Sequence, residues 1–404
     1  MPTTWFEPHF IYQISYDLGT YFILSLIFVF LCRKKIINYN LLILSLLLLL
    51  MPFVFNGFLF NWDMMPDQSK YLLYAERIRG DLMMVFHRES AVGDLFGDIG
   101  AIETNQVYVV PHKVFTPSIL YAFSPIISLE TYKGIALVNR AIFLLTWIFL
   151  IKKKYLDEYS SIFFILVPSL ILYSSVALRD ILIFLLMIWF IYFYYEKKII
   201  ANIFVVFILY VVKFQMLFTI GTFVILNFII KKDNINTLVL FYTILVLSIF
   251  TYFTGNFILE TVNGLRLGFF VEEYGGYRSM SATKNFKYFK IEPNLESLQI
   301  VWWSFYNFIL PPVLNGKHSI FAYAHIIEVF FIMSYLSIRI RLDKNFNLNT
   351  FIKWFLILII SYFIFSTVVF NTGTALRYKF PVMCFVIIGY FINTGINKKL
   401  IKNR

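Results

Sequence analysis

The chain has 404 residues, of which 60% are hydrophobic and 14% charged, and a formal net charge of +12. So few charged side chains cannot cover a water-soluble globule of this length, which excludes an ordinary soluble enzyme. The basic surplus sits in short clusters beside apolar runs, so it reports orientation in a membrane and argues against a nucleic-acid partner.

The first ten residues carry no Lys or Arg. The basic start of a cleavable signal peptide is missing, so the first helix is expected to stay in the mature protein. A helix of about 20 residues matches the hydrocarbon thickness of a bilayer. Apolar runs near that length predict spans at Tyr12–Cys32, Ile36–Phe60, Lys133–Ile151, Ser160–Ala177, Ile181–Tyr195, Ile199–Val212 and Gln215–Ile230. Further spans are predicted at Thr237–Phe257, Ile320–Ile338, Thr350–Phe370 and Phe380–Ile392. The fold expected is all-α: a polytopic integral membrane protein of about eleven transmembrane helices.

Six basic clusters abut the ends of these runs: Arg33 to Lys35, Lys152 to Lys154, Lys197 with Lys198, Lys231 with Lys232, Arg339 to Lys344, and Lys398 to Arg404. Short basic loops stay cytoplasmic, which places the amino terminus in the periplasm and the carboxyl terminus inside. The inner segments between the spans hold 17 basic residues and the five acids Asp157, Glu158, Glu196, Asp233 and Asp343, a surplus equal to the whole net charge, so the outer side is close to neutral. The expected location is the bacterial inner membrane, as one integral domain over residues 1–404 with two long periplasmic loops, 61–132 and 258–319. Each loop ends in an interrupted apolar stretch, Phe115–Leu129 and Leu298–Leu314, read as interfacial or re-entrant. Cys32 and Cys384 are the only cysteines, both inside apolar runs, so neither a disulfide framework nor a thiolate metal site is expected.

Ionisable groups at the outer ends of spans are functional suspects, because a charge near hydrocarbon is costly. Three short outer turns carry them: SSVALRD with Arg179 and Asp180, VVKFQ with Lys213, and NTGTALRYKFP with Arg377, Tyr378 and Lys379. These groups could converge on one anionic headgroup, with Arg binding phosphate oxygens in a bidentate fork. The competing reading has them snorkel to the interface or pair with each other, as Arg179 and Asp180 could.

In the first loop, NWDMMPDQSKYLLYAERIRGD places Asp63 and Asp67 between a span and an amphipathic helix. A partly desolvated carboxylate there suits a general base, while Asp67 also suits a helix cap. His112, in PHK before the re-entrant stretch, is the best placed of the loop histidines. In the second loop Arg266, Tyr274, Tyr277 and Arg278 combine aromatic faces that stack on sugar rings with cations, though a flexible loop without substrate contact has the same composition. No metal ligand set and no cofactor are expected.

Asp63, Asp67, Tyr71 and Ala75 after an early span, the SSVALRD turn and the late GTALRYKFP turn together resemble the polytopic glycosyltransferases of the GT-C type. Within that group the chain is most similar to the Wzy-type repeat-unit polymerases of O-antigen and capsule. The resemblance covers most of the chain as a layout of spans and loops. It implies an oligosaccharide donor linked to undecaprenyl pyrophosphate, a membrane-lipid environment, a chain-length regulator as partner, and periplasmic chemistry. Arg179 and Arg377 match the arginine turns that hold the lipid pyrophosphate, and Asp63 or Asp67 the first-loop acid. The chain departs from the pattern in that its first long loop follows the second span and not the first. A GT-C transferase using a polyprenyl-monophosphate sugar is the alternative enzyme. A lipid-linked oligosaccharide flippase or other transporter is disfavoured here because the spans read as nearly devoid of charge.

Overall fold

The computed structural model describes residues 10–56, 67–80, 117–122, 131–231, 234–235, 245, 255–257, 259–264, 266, 290–309, 320–342, 348–367 and 372–402. Among them the regular structure is helical except for one short antiparallel ladder, β1 (Ile230–Lys231) with β2 (Asn234–Ile235), which pairs Ile230 with Ile235. Among the described residues, three helices are long and apolar enough to cross a membrane: Ile14–Arg33, Tyr132–Lys152 and Leu348–Ser366. Shorter apolar helices accompany them at Tyr39–Phe55, Asp180–Tyr195, Ile199–Lys213, Met216–Ile229 and Ile326–Ile338. The chain is a helical protein of membrane-embedded character. Most of the run 237–257 lies outside the described residues, as do Asp63, His112, Tyr274, Tyr277 and Arg278.

The chain forms two compact units, Met1–Phe214 with Phe391–Arg404, and Gln215–Tyr390. The first contains α1 (Phe10–Arg33), α2 (Tyr39–Leu49), α3 (Met51–Phe55), α4 (Asp67–Gly80), α5 (117–122), α6 (Tyr132–Lys152), α7 (Glu158–Leu166), α8 (Pro168–Ser174), α9 (Asp180–Tyr195) and α10 (Ile199–Lys213). Helix α6 is its hub: α1 to α4 and α7 to α9 all pack on it, and α10 packs on α9. That explains why α6 is buried nearly all round, through Ile135, Leu137, Phe143 and Leu144. By contrast α1 turns Phe22, Leu26 and Phe30 outward, and α10 turns Ile200, Ile203, Phe204 and Phe207 outward. Rows of exposed large apolar side chains are what a lipid-facing surface requires.

Two of the expected spans are interrupted, each at a proline. The run 36–60 divides into α2 and α3 around Leu50, and the run 160–177 into α7 and α8 at Val167. Pro52 and Pro168 each fall at the start of the second piece, where a missing N–H is tolerated.

Three helices of this unit stop in the same way. Lys35, Lys154 and Lys197 adopt positive φ of 56°, 58° and 58°. At each, the N–H of the next residue reaches back five positions, Ile36 to Leu31, Tyr155 to Leu150 and Lys198 to Phe193, while the lysine's own N–H reaches back three. This is a Schellman stop with lysine where glycine is usual. A cation at a helix carboxyl end offsets part of that conformational cost through the dipole, and these are three of the six basic clusters that set the expected orientation.

The second unit contains α11 (Met216–Ile229), α12 (Leu295–Ile309), α13 (Ile320–Leu342), α14 (Leu348–Ser366) and α15 (Thr372–Lys402) as far as Tyr390. Helix α14 packs on α11 and α12. The rings of Phe223, Trp354 and Phe385 meet at 5.2 to 5.9 Å, one each from α11, α14 and α15. The GTALRYKFP stretch, expected as a turn, is the helical start of α15, which continues through Pro381. Pro381 removes a single helical bond, the one its N–H would donate to the Arg377 carbonyl, so the helix carries on as a weakened rod.

Candidate functional site

Between α8 and α9 the chain leaves helical geometry for residues 175–178, and these buried amides need partners away from water. Three buried side chains from distant elements supply them. Asn56 Nδ2 donates to the Ser175 carbonyl at 2.8 Å. Asn139 Nδ2, on the hub helix, donates to the carbonyls of Val176 (2.9 Å) and Leu178 (3.0 Å). Gln68 Oε1, on α4, accepts from the Ala177 N–H at 2.7 Å. Tyr121 on α5 completes the clamp by donating its hydroxyl to Asn139 Oδ1 at 2.9 Å. Burial pushes that hydroxyl far above the usual phenol range, so it remains a protonated donor.

The clamped segment delivers Arg179 and Asp180 to the start of α9, both almost wholly buried. Asp180 is the first residue of α9, where a carboxylate is favoured by the helix dipole. Lys213, the last residue of α10, brings its ammonium to 3.9 Å from Asp180 Oδ1. Arg179 Nη1 donates to the Val212 carbonyl at 3.3 Å, so a cation sits at the carboxyl end of α10. The two neighbouring helix ends thus hold charges of the sign their dipoles favour. The sequence-predicted group Arg179, Asp180 and Lys213 is one cluster in the first unit. Removing Lys213 alone would leave Asp180 charged in a buried place, and breaking such a pair costs about 3–5 kcal/mol. Lys213→Met is therefore expected to lower the melting temperature clearly, and Asp180→Asn added to it to recover most of the loss. Equal melting of both variants and wild type would show the pair to be energetically idle.

Helices α4 and α5 lie over this segment. Tyr71 and Tyr121 meet edge to face at 6.3 Å, Tyr74 and Ile78 pack on Ile119 and Ala122, and Arg79 Nε donates to the Ala122 carbonyl at 3.1 Å. Asp67 opens α4.

The other predicted residues belong to the second unit. Tyr378 and Lys379 are buried on α15 and Arg377 is partly buried. The Tyr378 ring stands 5.2 Å from Phe365, and the Lys379 ammonium lies 5.1 Å over the Phe308 ring. Tyr362 donates its hydroxyl to the Lys379 carbonyl at 3.4 Å. Arg266 is buried and donates to the Thr367 carbonyl, just past the end of α14.

Four buried charges escaped the sequence reading because each sits alone in an apolar run. Asp17 on α1 accepts from the Thr131 hydroxyl, which also caps α6 through the Gly134 N–H, with Lys133 4.0 Å away. Arg140 on α6 donates through Nε to the Leu48 carbonyl at 3.0 Å and through Nη1 to Ser174 Oγ. Leu48 is the residue whose carbonyl Pro52 cannot serve, so the arginine stands in for the missing helical donor. Lys353 donates to Asn227 Oδ1 at 2.9 Å, and Glu328 lies buried on α13 within electrostatic reach of Tyr362 and Cys384. The expectation of nearly charge-free spans is corrected by these residues. The signal was legible in principle, since a lone ionisable residue inside a span is a functional suspect by default.

No family model, no curated protein and no solved structure matches the chain. Its function therefore rests on the residues themselves.

Proposed function

We propose that the chain is a Wzy-type polymerase of lipid-linked oligosaccharide repeat units for O-antigen or capsule. It would lie in the bacterial inner membrane with eleven spans, the amino terminus periplasmic and the carboxyl terminus cytoplasmic. The observation that carries the reading is the cluster of Arg179, Asp180 and Lys213, held by a clamped backbone where two apolar helices end. Such rigidly held cations suit a pyrophosphate leaving group. A terminal sugar hydroxyl of one repeat unit attacks the anomeric carbon of the glycan on undecaprenyl pyrophosphate. The bond to the pyrophosphate oxygen breaks, the pyrophosphate leaves with the electron pair, and an outer-loop base takes the hydroxyl proton. Asp63, Asp67 and His112 are the candidates for that base. Lys213 stands farther from Asp180 than a charge-assisted hydrogen bond, and an ammonium carries three donors, which favours an exchange of partner when phosphate oxygens arrive. Arg377 and Lys379, in the second unit, carry the same phosphate-binding chemistry, and Arg266, Tyr274, Tyr277 and Arg278 suit the sugars. A chain-length regulator is the expected protein partner.

The test is the electrophoretic ladder of surface glycan in a strain lacking the gene. Single-repeat glycan in the deletion, with the ladder restored by the wild-type gene, is the expected result. Loss of every repeat from the surface would point to an earlier step. A flippase is the second reading, favoured by Asp17, Arg140, Glu328 and Lys353, because buried charges along spans mark translocation paths. A single-sugar transferase, which leaves glycan one residue short and no chain growth to lose, is the remaining enzyme.

A further inference from the structure

In the second unit, polar groups are buried without hydrogen-bond partners on one side of the Phe223–Trp354–Phe385 triad. Both amide atoms of Gln215, the Thr219 hydroxyl, the Ser361 hydroxyl and the Trp354 indole N–H are in this state. Gln215, Thr219 and Phe223 recur every four residues and so share one line along α11 and the turn before it. Ser361 lies two turns beyond Trp354 on the buried face of α14.

Register places these groups together. Tyr362 with Lys379, Trp354 with Phe385 and Phe351 with Tyr390 make α14 and α15 antiparallel. Trp354 meets Phe223 while Lys353, whose side chain leans toward its helix amino terminus, reaches Asn227, which makes α11 and α14 antiparallel too. Gln215, Ser361 and Tyr378 are then each about 10–12 Å from the triad along their own helices, in the same direction. Gln215 and Ser361, with Thr219 one turn nearer the triad, therefore form a polar layer on one side of the aromatic triad, level with Tyr378, whose ring meets Phe365.

Leaving one buried polar group unmatched costs about 1–3 kcal/mol. Three residues unmatched on one side of an aromatic cluster, together with the indole N–H of the cluster's own Trp354, are not what an apolar helix contact needs. The geometry points to a binding site for a neutral, hydroxyl-rich ring, a sugar residue, in the layer lined by Gln215, Thr219 and Ser361. Hydroxyl and amide groups both donate and accept, which matches sugar hydroxyls, and the neighbouring rings of the triad and of Tyr378 match the apolar faces of a sugar ring. No charged side chain is among the unmatched groups of this layer, so it differs in kind from the Arg179 cluster and does not rest on the pyrophosphate reading. Pro381 gives the layer a means of opening, since the first turns of α15 are joined to the rest with one helical bond fewer.

The test uses the full chain in phosphatidylcholine nanodiscs, which carry no hydroxylated headgroup, with N-acetylglucosamine and galactose at millimolar concentration as probes. A sugar-dependent rise in melting temperature and a shift in emission that Trp354→Phe abolishes are expected. The double variant Thr219→Val and Ser361→Ala removes two unmatched hydroxyls, so it should melt at or above the wild-type temperature yet bind sugar about tenfold or more weakly, a loss of about 1.4 kcal/mol. Absence of a sugar response in the wild type overturns the proposal, as does a double variant that melts lower and still binds normally, the behaviour of a layer filled by internal water. A rise in melting temperature on adding phosphatidylglycerol that suppresses the sugar response would assign the layer to a lipid polyol instead. A glycan ladder that survives deletion of the gene would end the polymerase reading and leave this binding result untouched.

Discussion

Under the proposed polymerase reading, Arg179→Ala is expected to reduce repeat-unit polymerisation by about a hundredfold or more, because removing one preorganised donor from a developing anion typically costs about that much in turnover. The guanidinium is well placed for this. The backbone behind it is fixed by Asn56, Gln68 and Asn139, and Nη1 already rests on the Val212 carbonyl, so little reorganisation is required when charge develops. Arg179→Lys should restore only a small part, since an ammonium cannot keep a carbonyl and bind phosphate through a fork at once. The structural share of the loss is separable. Arg179→Ala frees the Val212 carbonyl, which costs about 1–3 kcal/mol, less than a domain's whole stability, so the protein should remain folded and abundant in the membrane. Glycan ladders read alongside membrane abundance decide the matter. A full ladder from an abundant Arg179→Ala protein would remove Arg179 from the chemistry.

The helices were readable because apolar length is a direct consequence of bilayer thickness. The run expected at Ile199–Val212 is α10 at Ile199–Lys213, and the run expected at Ile181–Tyr195 is α9 at Asp180–Tyr195. Where the reading failed, local chemistry decided. Pro52 and Pro168 divide apolar runs that hydropathy treats as continuous, whereas Pro381 leaves α15 unbroken. The Arg179–Asp180–Lys213 grouping was legible as charges at span ends. Its support was not. Asn56 and Ser175 are 119 residues apart, and Gln68 and Ala177 are 109 apart, with no periodicity to link them. Asn139 is one polar letter in a run of apolar ones, and only the packing of seven helices around α6 gives it meaning.

The arrangement around α6 also assigns its neighbouring polar residues separate tasks. Asn139 serves the segment before α9, whereas Arg140, next in sequence, serves the carboxyl ends of α2 and α8 through Leu48 and Ser174. Consecutive helical positions point about 100° apart, so one hub can hold two breaks in two different neighbours. A hub of this kind makes the positions of α2, α8 and α9 interdependent, and a change at Asn139 should be felt well beyond its own contacts.

Asn139→Leu therefore carries a large expected effect on stability. It removes the donors for the Val176 and Leu178 carbonyls and the acceptor for the Tyr121 hydroxyl, all buried. Three orphaned groups at about 1–3 kcal/mol each predict a loss of about 3–5 kcal/mol after partial relaxation. Asn139→Asp should be no better, because it keeps the acceptor for Tyr121 but places a carboxylate oxygen against two carbonyls in a buried setting near Asp180. Unfolding of purified protein in one detergent, followed by tryptophan emission against temperature, measures the difference. The coupling is the sharper part of the expectation. Gln68→Ala releases the same segment at the Ala177 N–H, so the double variant Gln68→Ala with Asn139→Leu should lose less than the sum of the single losses, since groups serving one short segment do not add independently. Strict additivity, or an Asn139→Leu protein that melts with the wild type, would mean that residues 175–178 hold their shape without the clamp, and that the position of Arg179 must be explained from α9 and α10 alone.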